Sequence, residues 1–457
     1  MKYKPYPKYK DSGVVWLGEI PEGWECKRLR FLAKLNPSKS AITDNHPDEV
    51  SFLPMDNIGD NGTLRLDTIK AWDDVESGYT YFAEGDVTYA IITPCFENGK
   101  GAQMLGLKNK MGFGTTELCV LRPNHKCDGR WLWYTTISTP FRKIGESWMY
   151  GAGGQKRVPD DFARNFAIGF PPLYIQRAIA AFLDAETARI DGLIKDYEDL
   201  IELLKEKRQA LISRAVTRGL SELVGPDDPE FGEWAKPVKF KDSGVEWIGE
   251  IPEGWEAGAL KKWLSVVDCK HLTAEFVDSG YALVSIRELQ GHVVDISEAK
   301  HTTVEYFNKL IDGGRELRKR DLVFCRNVGV GQVSIVPEMP NECAMGQDVC
   351  RLRPLGPNTD SSFILLVLKS ASIVSQLESI MIGATFKRVN VEQIRELCVT
   401  SPDIEEQHAI ASFLDRETSK IDTLIADSES AIELLKEHRS ALITNAVTGK
   451  INVENIA

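Results

Sequence analysis

The sequence contains an internal repeat, and this duplication constrains the fold more than any other feature. Residues 11–25 read DSGVVWLGEIPEGWE and residues 242–256 read DSGVEWIGEIPEGWE. The second half restates the first at an offset of 231 residues, and similarity returns in further blocks. These blocks pair residues 119–123 with 350–354, 156–158 with 387–389, 178–191 with 409–422, and 202–212 with 433–443. Because a repeated sequence predicts repeated structural units, we expect two equivalent halves rather than one core.

Two blocks between these anchors, approximately residues 40–115 and 270–345, barely resemble each other. Both contain short runs such as GDVTYAIITPCF and RDLVFCRNVGVGQVSIV, which are rich in β-formers and broken by glycine, asparagine or proline. This pattern indicates short strands joined by turns. The two variable blocks are therefore predicted to be mixed, β-rich domains that differ in detail.

Each half closes with a long amphipathic stretch. Apolar residues alternate at spacings of four and three in both copies, with Arg208, Ser428 and Arg439 as exceptions. This heptad pattern predicts a helix of about 40 residues, or about 60 Å, in each half. We expect the two helices to pair as an antiparallel coiled coil, because each outreaches a domain of about 150 residues. The alternative is that each helix packs on its own globular domain.

Catalytic motifs are missing from the sequence. It has no phosphate-binding loop of the G-x-x-x-x-G-K-[ST] type and no Asn-Pro-Pro-aromatic tetrapeptide, and GAGGQKR at 151–157 lacks the frame of a dinucleotide fingerprint. The nine cysteines include no C-x-x-C pair and do not cluster with the seven histidines, so no metal site is predicted. No run of about 18 apolar residues predicts a membrane span.

Local charge points to DNA although the whole chain carries a formal charge of −12. Between residues 97 and 165 there are eleven Lys and Arg against six Asp and Glu. A second basic cluster comprises Arg315, Arg318, Lys319, Arg320 and Arg326. Both lie in glycine-rich segments, the first of them near Phe96, Phe113, Trp131 and Trp133. Such loops can place cations on phosphates and a few side chains on base edges, although a solvated surface is the alternative.

These motifs together resemble the DNA-specificity subunit of type I restriction–modification systems. The resemblance is carried by the DSG…EIPEGW phrases, the loop GDVTYAIITPCFENGKGA at 85–102, GGQKRVP at 153–159 with its partner GATFKRV at 383–389, and the repeated helix. It implies two target-recognition domains, each reading half of a split double-stranded DNA site. The paired helices would act as a ruler between them and as a docking surface for two modification subunits.

The resemblance further implies a cytoplasmic, non-catalytic chain without a membrane partner. S-adenosylmethionine, ATP and magnesium would bind to the modification subunits and the restriction or translocase subunits, and this chain would hold no cofactor. The implied fold class is α+β with an internal pseudo-two-fold repeat. Its expected parts are target-recognition domains at 1–165 and 242–396, helical spacers at 171–220 and 402–450, and a linker at 221–241. Because the variable blocks differ, the DNA target should be asymmetric.

The site residues are predicted from the ends of the variable blocks. Lys156–Arg157 and Lys387–Arg388 each follow a glycine-containing loop and are expected to contact phosphates without choosing bases. Lys100 and Arg326 are further candidates for the DNA face. The tryptophans of the repeated phrase are predicted to attach each domain to the helices, unless that phrase is only a first strand of each core; they are Trp16, Trp24, Trp247 and Trp255.

Two other classes of function remain open on the sequence. A tandem-repeat scaffold that binds only proteins would not need basic clusters in the variable blocks. An enzyme with an unfamiliar site should show reactive groups shared by both halves. The shared acids, such as Asp184 and Asp415, lie among charged residues of the predicted helices and are expected on the helix surface.

Overall fold

The computed structural model describes residues 3–39, 42, 46–152, 154–338, 343–381 and 388–454. It divides into two compact units. Unit 1 comprises Met1–Glu198 and Glu429–Ala457, and unit 2 comprises Asp199–Ser428. Each unit therefore contains one variable block, part of the long helix that follows it, and part of the long helix of the other repeat.

The α-helices are α1 (Trp72–Val75), α2 (Gly129–Ile137), α3 (Thr139–Ser147), α4 (Asp160–Asn165), α5 (Leu173–Arg218), α6 (Val304–Ile311), α7 (Ser361–Leu368), α8 (Ala371–Ile380), α9 (Val391–Arg395) and α10 (Ile404–Val447). Short 3₁₀ turns occur at Leu29–Phe31, Met55–Asn57, Lys108–Lys110, Gly232–Trp234, Leu260–Lys262 and Ile286–Leu289. α5 and α10 are the two long helices that the heptads predict.

The strands of unit 1 are β1 (Tyr9–Asp11), β2 (Glu19–Pro21), β3 (Glu25–Arg28), β4 (Ala33–Leu35), β5 (Glu49–Leu53), β6 (Ile69–Ala71), β7 (Thr80–Ala83), β8 (Val87–Ala90), β9 (Gly101–Gln103), β10 (Met111–Gly114), β11 (Leu118–Pro123) and β12 (Ala167–Phe170). They form two four-stranded sheets, in the orders β6-β5-β10-β7 and β4-β11-β8-β9, and two strand pairs, β1-β2 and β12-β3. β5 and β10 run parallel, whereas the other pairings are antiparallel.

The strands of unit 2 are β13 (Phe240–Asp242), β14 (Glu250–Pro252), β15 (Glu256–Ala259), β16 (Leu264–Asp268), β17 (Phe276–Val277), β18 (Tyr281–Val284), β19 (His301–Thr302), β20 (Leu322–Cys325), β21 (Val333–Ile335), β22 (Cys343–Met345), β23 (Val349–Pro354) and β24 (Cys398–Ser401). The sheet β16-β23-β20-β21 repeats the order of β4-β11-β8-β9, and β18 pairs in parallel with β22 as β5 does with β10. The second four-stranded sheet of unit 2, β17-β19-β18-β22, is arranged differently at its edge.

The long helices pack antiparallel within each unit, as the heptads predict. In unit 1, Arg439 of α10 donates to Asp191 of α5 at 2.8 Å, and in unit 2 Arg208 of α5 donates to Asp422 of α10 at the same distance. Both arginines occupy a seam position of the heptad, and the two ion pairs are exact repeat equivalents at the offset of 231. The fold is therefore the α+β class with an internal pseudo-two-fold repeat.

Each variable domain shares its hydrophobic core with both long helices. In unit 1 the buried cluster joins Trp131 of α2 to Ile179 of α5 and Ala446 of α10. In unit 2 the corresponding cluster joins Phe363 of α7 to Ala215 of α5 and Ile410 of α10. Since apolar burial is the main stabilising contribution, the helices and the domain of each unit are expected to fold together.

Candidate nucleic-acid interface

The loop after β8 in unit 1 and the loop after β20 in unit 2 occupy the same place in their sheets. In unit 1 the loop joins β8 to β9, and Ala90 N–H donates to Lys100 C=O at 2.9 Å at its base. In unit 2 it joins β20 to β21, and Cys325 N–H donates to Gln332 C=O at 2.8 Å. We call residues 91–99 loop 1 and residues 326–331 loop 2. The two loops are closed alike, but they differ in length and sequence.

The Lys-Arg segment that follows each variable block lies beside its loop. In unit 1, Val158 N–H donates to Ile91 C=O at 2.9 Å, and Arg157 forms a backbone bridge with Ile92. In unit 2, Val389 N–H donates to Arg326 C=O at 2.9 Å, and Arg388 forms the equivalent bridge with Asn327. Two segments that are far apart in sequence are thus brought together twice in the same way.

Of the predicted phosphate contacts, Lys156 and Arg388 are exposed. Arg157 is held by Glu117, whose carboxylate accepts from Arg157 Nε at 2.8 Å and Nη2 at 2.7 Å. This contact raises the pKa of Arg157, and its guanidinium already has an anionic partner. Lys387 lies outside the described residues. The phosphate role of these four residues stays a prediction.

The two further DNA-face candidates are both partly enclosed. Lys100 Nζ donates to Met55 C=O at 3.1 Å. Arg326 lies 3.1 Å from Asp268, and its Nη2 is 3.3 Å from His271 Nε2. The cations near Arg326 also have partners: Arg318 pairs with Glu316, Lys319 with Glu338 and Arg320 with Asp360. This cluster is therefore less positive than its arginine and lysine count indicates.

The aromatic residues expected next to the basic loops are core residues. Phe96, Phe113, Trp131 and Trp133 are all buried, so they form no part of an exposed DNA face. Their apolar area stabilises the domain instead, which is the commoner use of large aromatic side chains. The exposed aromatic residues near loop 1 are Trp148 and Tyr150, of which Tyr150 is 68% exposed.

The four tryptophans of the repeated phrase divide into two kinds. Trp24 and Trp255 are buried in the core clusters that contain the long helices, and Trp255 Nε1 donates to Glu406 of α10 at 2.8 Å. Trp16 is partly buried and stacks on Phe166 at 4.9 Å, whereas Trp247 is 45% exposed. Their role in attachment stays a prediction, which the packing of Trp24 and Trp255 favours more than that of Trp247.

The contacts that hold each domain to its helix also include a glutamine that sequence reasoning missed. Gln176 of α5 is fully buried; its Oε1 accepts from Asp128 N–H at 2.7 Å, and its Nε2 donates to Lys126 C=O and Pro171 C=O at 3.1 and 2.8 Å. In unit 2, Gln407 of α10 makes the same three kinds of contact. The signal in the sequence is that these glutamines are identical at the repeat offset of 231, two residues before the repeated blocks 178–191 and 409–422.

A second repeated pair supports the strand that precedes each loop. Asp86 is buried and accepts from Arg122 Nε and Nη2, both at 2.7 Å. Asp321 is buried and accepts from Arg353 at 2.6 and 2.7 Å. Each aspartate also accepts a backbone N–H, from Ala83 or Arg318. Such charge-assisted, bidentate contacts fix the geometry at the start of the strand, at its end opposite the loop.

Within the described residues, no group of three or more His, Cys, Asp and Glu side chains is placed to hold a metal ion. No single helix among them is long and apolar enough to cross a membrane; only the bent pair α7 and α8 meets that criterion when the two are taken together. α7 is buried in the core of unit 2, where its apolar residues already have contacts.

Comparison with known proteins identifies the family. A model of the type I restriction modification DNA specificity domain matches residues 21–203 and 279–434. The EcoAI type I specificity subunit of Escherichia coli is 45% identical over 447 residues, covering 82% of this chain and 74% of that protein. The putative MjaX specificity subunit of Methanocaldococcus jannaschii is 24% identical, with 96% of each chain covered.

Solved structures share the fold. A chain described under "complex assembly and conformational transition of the type I R-M system" aligns with a TM-score of 0.73 at 17% identity, covering 94% of this chain and 99% of the other. The HsdS subunit from Thermoanaerobacter tengcongensis aligns with a TM-score of 0.57 at 16% identity, covering 94% and 98%. The chain belongs to the type I restriction–modification DNA specificity family. It is a specificity subunit of a type I restriction–modification system.

Proposed function

We propose that the two units read the two halves of one split, asymmetric DNA site. The observation that carries this is the combination of equivalent anchoring with different loops: Gln176 and Gln407 make the same contacts, whereas loops 1 and 2 differ. Different base contacts on equivalent supports are what two unlike half-sites require. We place the target-recognition domains at 1–165 and 242–396, the helical spacers at 171–220 and 402–450, and the linker at 221–241.

Lys156, Arg157, Lys387 and Arg388 are proposed to contact phosphates, and Lys100 and Arg326 to lie on the DNA face. The exposure of Lys156 and Arg388 beside the loops supports this for the two of them. Arg157 and Arg326 would have to share their guanidinium groups between a carboxylate and the DNA. Their expected contribution is therefore smaller than that of the exposed cations.

The chain is proposed to be non-catalytic, with S-adenosylmethionine, ATP and magnesium bound by modification and restriction subunits. The missing nucleotide-binding and methyltransferase motifs support this division of labour. The chain would then supply target choice and a scaffold, and its partners would supply the chemistry.

The docking surface for two modification subunits is proposed to include two equivalent leucine patches. Patch 1, in unit 1, contains Leu193 (36% exposed) and Leu434 (66%). Patch 2, in unit 2, contains Leu424 (52%) and Leu203 (63%), which are their repeat equivalents. The antiparallel register places the two leucines of each patch within about one helical turn of each other. They occupy heptad positions g and c, which lie on one side of the helix pair.

Exposed carboxylates accompany both patches at equivalent positions, Asp196 and Glu437 in unit 1 and Asp427 and Glu206 in unit 2. Acidic residues disfavour DNA phosphates, and exposed leucines indicate a protein contact. An apolar surface with a basic rim would fit each patch. Two patches with equivalent leucines suit two copies of one subunit.

Native mass spectrometry of the complex tests the docking proposal. We expect two modification subunits on the wild-type chain, one on the variant L203E/L424E, one on L193E/L434E, and none on the quadruple variant. The control is Tyr174→Glu, which changes an exposed apolar residue of α5 outside both patches. Retention of two modification subunits by the quadruple variant would refute docking at the leucines.

Single-molecule sequencing of methylated adenine in the source genome tests DNA reading. With the gene intact and deleted in matched strains, we expect one split, asymmetric motif to disappear on deletion. If the partner genes are expressed and no motif disappears, the reading proposal is wrong, and a protein scaffold without DNA reading becomes the better description.

A further inference from the structure

Loop 1 is supported from beneath by a buried arginine that loop 2 lacks. Arg142 of α3 donates through Nη1 to Phe96 C=O at 2.9 Å and through Nη2 to Gly99 C=O at 3.3 Å. Its guanidinium lies 4.7 Å from the ring of Phe96 and 5.9 Å from those of Tyr89 and Phe141. The side chain thus connects a helix of the domain core directly to the backbone of the loop.

This arginine lies in an unfavourable environment. Burial lowers its pKa to about 10, and no carboxylate of the described residues lies within ion-pair distance. Its Nε has no hydrogen-bond partner, and neither has Glu97 Oε2 in the loop above it. A buried cation without a counter-ion and unsatisfied polar atoms both cost free energy. Because Arg142 is buried despite this unfavourable free energy, the conformation of loop 1 that it holds is inferred to matter for function.

The equivalent residue of unit 2 shows that the fold does not require this arginine. The N-terminal caps of α3 and α8 are Ser138 and Ser370, so Arg142 corresponds to Val374, which is 46% exposed. Loop 1 contains nine residues, 91 to 99, whereas loop 2 contains six, 326 to 331. The extra length includes the carbonyls that Arg142 contacts. The arginine is therefore tied to the particular loop of unit 1.

The strand that follows loop 1 is fixed as well. Gly101 N–H donates to Gly59 C=O at 3.3 Å, and the buried Trp133 Nε1 donates to Gly101 C=O at 3.1 Å. Asn98 lies near the tip and is exposed. Among the described residues its carboxamide has no hydrogen-bond partner. An immobilised loop that presents an uncommitted amide meets the requirement for a preorganised polar contact.

We propose that Asn98 contacts a base edge in the half-site of unit 1, and that Arg142 is the positioning residue that holds loop 1 for this contact. The proposal rests on the proposed reading function and adds which residue determines specificity. A carboxamide offers one donor group and one acceptor, which match N7 and the N6 amino group of adenine. The contact is thus expected at an A·T pair of that half-site.

The test uses the complete complex with its modification subunits and duplexes that carry the wild-type methylation motif or single base-pair changes in it. For Asn98→Ala we expect discrimination at one A·T pair of one half-site to fall roughly 5- to 150-fold, as loss of a bidentate base contact implies. Discrimination at every pair of the other half-site should be unchanged, and the melting temperature should stay at the wild-type value.

For Arg142→Met we expect discrimination to fall at the same base pair, with a higher KM for the cognate duplex and little change in kcat. Arg142→Lys can still donate to one carbonyl, so it should retain part of the discrimination that Arg142→Met loses. The matched control is Lys143→Met, which changes the next residue of α3, an exposed lysine paired with Glu146. This control should behave as the wild type.

Full discrimination at every pair in Asn98→Ala, or an equal loss in both half-sites, would overturn the contact. If Asn98→Ala has the expected effect and a folded Arg142→Met does not, the positioning role is wrong. If Arg142→Met does not fold, Asn98→Ala still tests the base contact and Arg142→Lys still tests the positioning role. Absence of any split motif for the wild type would instead contradict the proposed function itself.

Discussion

Unit 1 and unit 2 hold their domains to the helices with the same residues, yet they support their loops with different ones. Gln176 and Gln407 make equivalent contacts, as do the Asp86–Arg122 and Asp321–Arg353 pairs. Arg142 beneath loop 1, by contrast, corresponds to the exposed Val374 in unit 2. Duplication has preserved the attachment, where geometry must match, and has left the reading loop free to differ. The shared contacts should therefore have equal energetic importance in both units.

The largest effect is expected from the buried aspartates. Arg122→Met and Arg353→Met each leave a buried carboxylate without its guanidinium, and each should lower the free energy of unfolding of its unit by about 3–4 kcal/mol. Hydrogen exchange followed by mass spectrometry measures each unit separately. Arg164→Met, which removes an exposed arginine from the same domain as Arg122, should change little. If only one of the two variants destabilised its unit, the two aspartate–arginine pairs would not be energetically equivalent.

The next largest effect is expected from the glutamines. Gln176→Ala and Gln407→Ala each leave one N–H and two carbonyl groups without their buried partner, which should cost about 2–3 kcal/mol. The loss of protection should begin where α5 or α10 meets the variable domain. The exposed Gln155→Ala serves as control. If one glutamine matters and the other does not, the two domains are not attached in equivalent ways.

The sequence predicted the parts of the fold that depend on local pattern. The heptads around Ile190 and Ile421 predicted long paired helices, because pairing buries the apolar residues that lie along one face of each helix. Local pattern does not place Phe96 or Trp133, since an aromatic residue beside a lysine can belong either to a binding face or to a core. Gln176 and Arg142 were missed because their importance lies in contacts with residues distant in sequence, which no local pattern records.

The smallest effect concerns a difference between the two buried tryptophans. Trp255 donates to Glu406, whereas the residue equivalent to Glu406 in unit 1 is Ile175. Burial raises the pKa of Glu406 above its ordinary value. A carboxyl group with a raised pKa in the folded state stabilises that state most when it is protonated, and this contribution is lost as the pH rises through the raised pKa.

Glu406→Gln should therefore stabilise unit 2 slightly at neutral pH, by less than about 1 kcal/mol, because the amide oxygen still accepts from Trp255 without a buried charge. Below the ordinary pKa of glutamate, about 4.3, the difference from the wild type should vanish. Unit 1 should show no change at any pH. Unfolding of each unit between pH 4 and pH 7 measures this. A variant less stable than the wild type at neutral pH would mean that the charged hydrogen bond outweighs the burial of Glu406, and that unit 2 depends on a polar attachment that unit 1 does without.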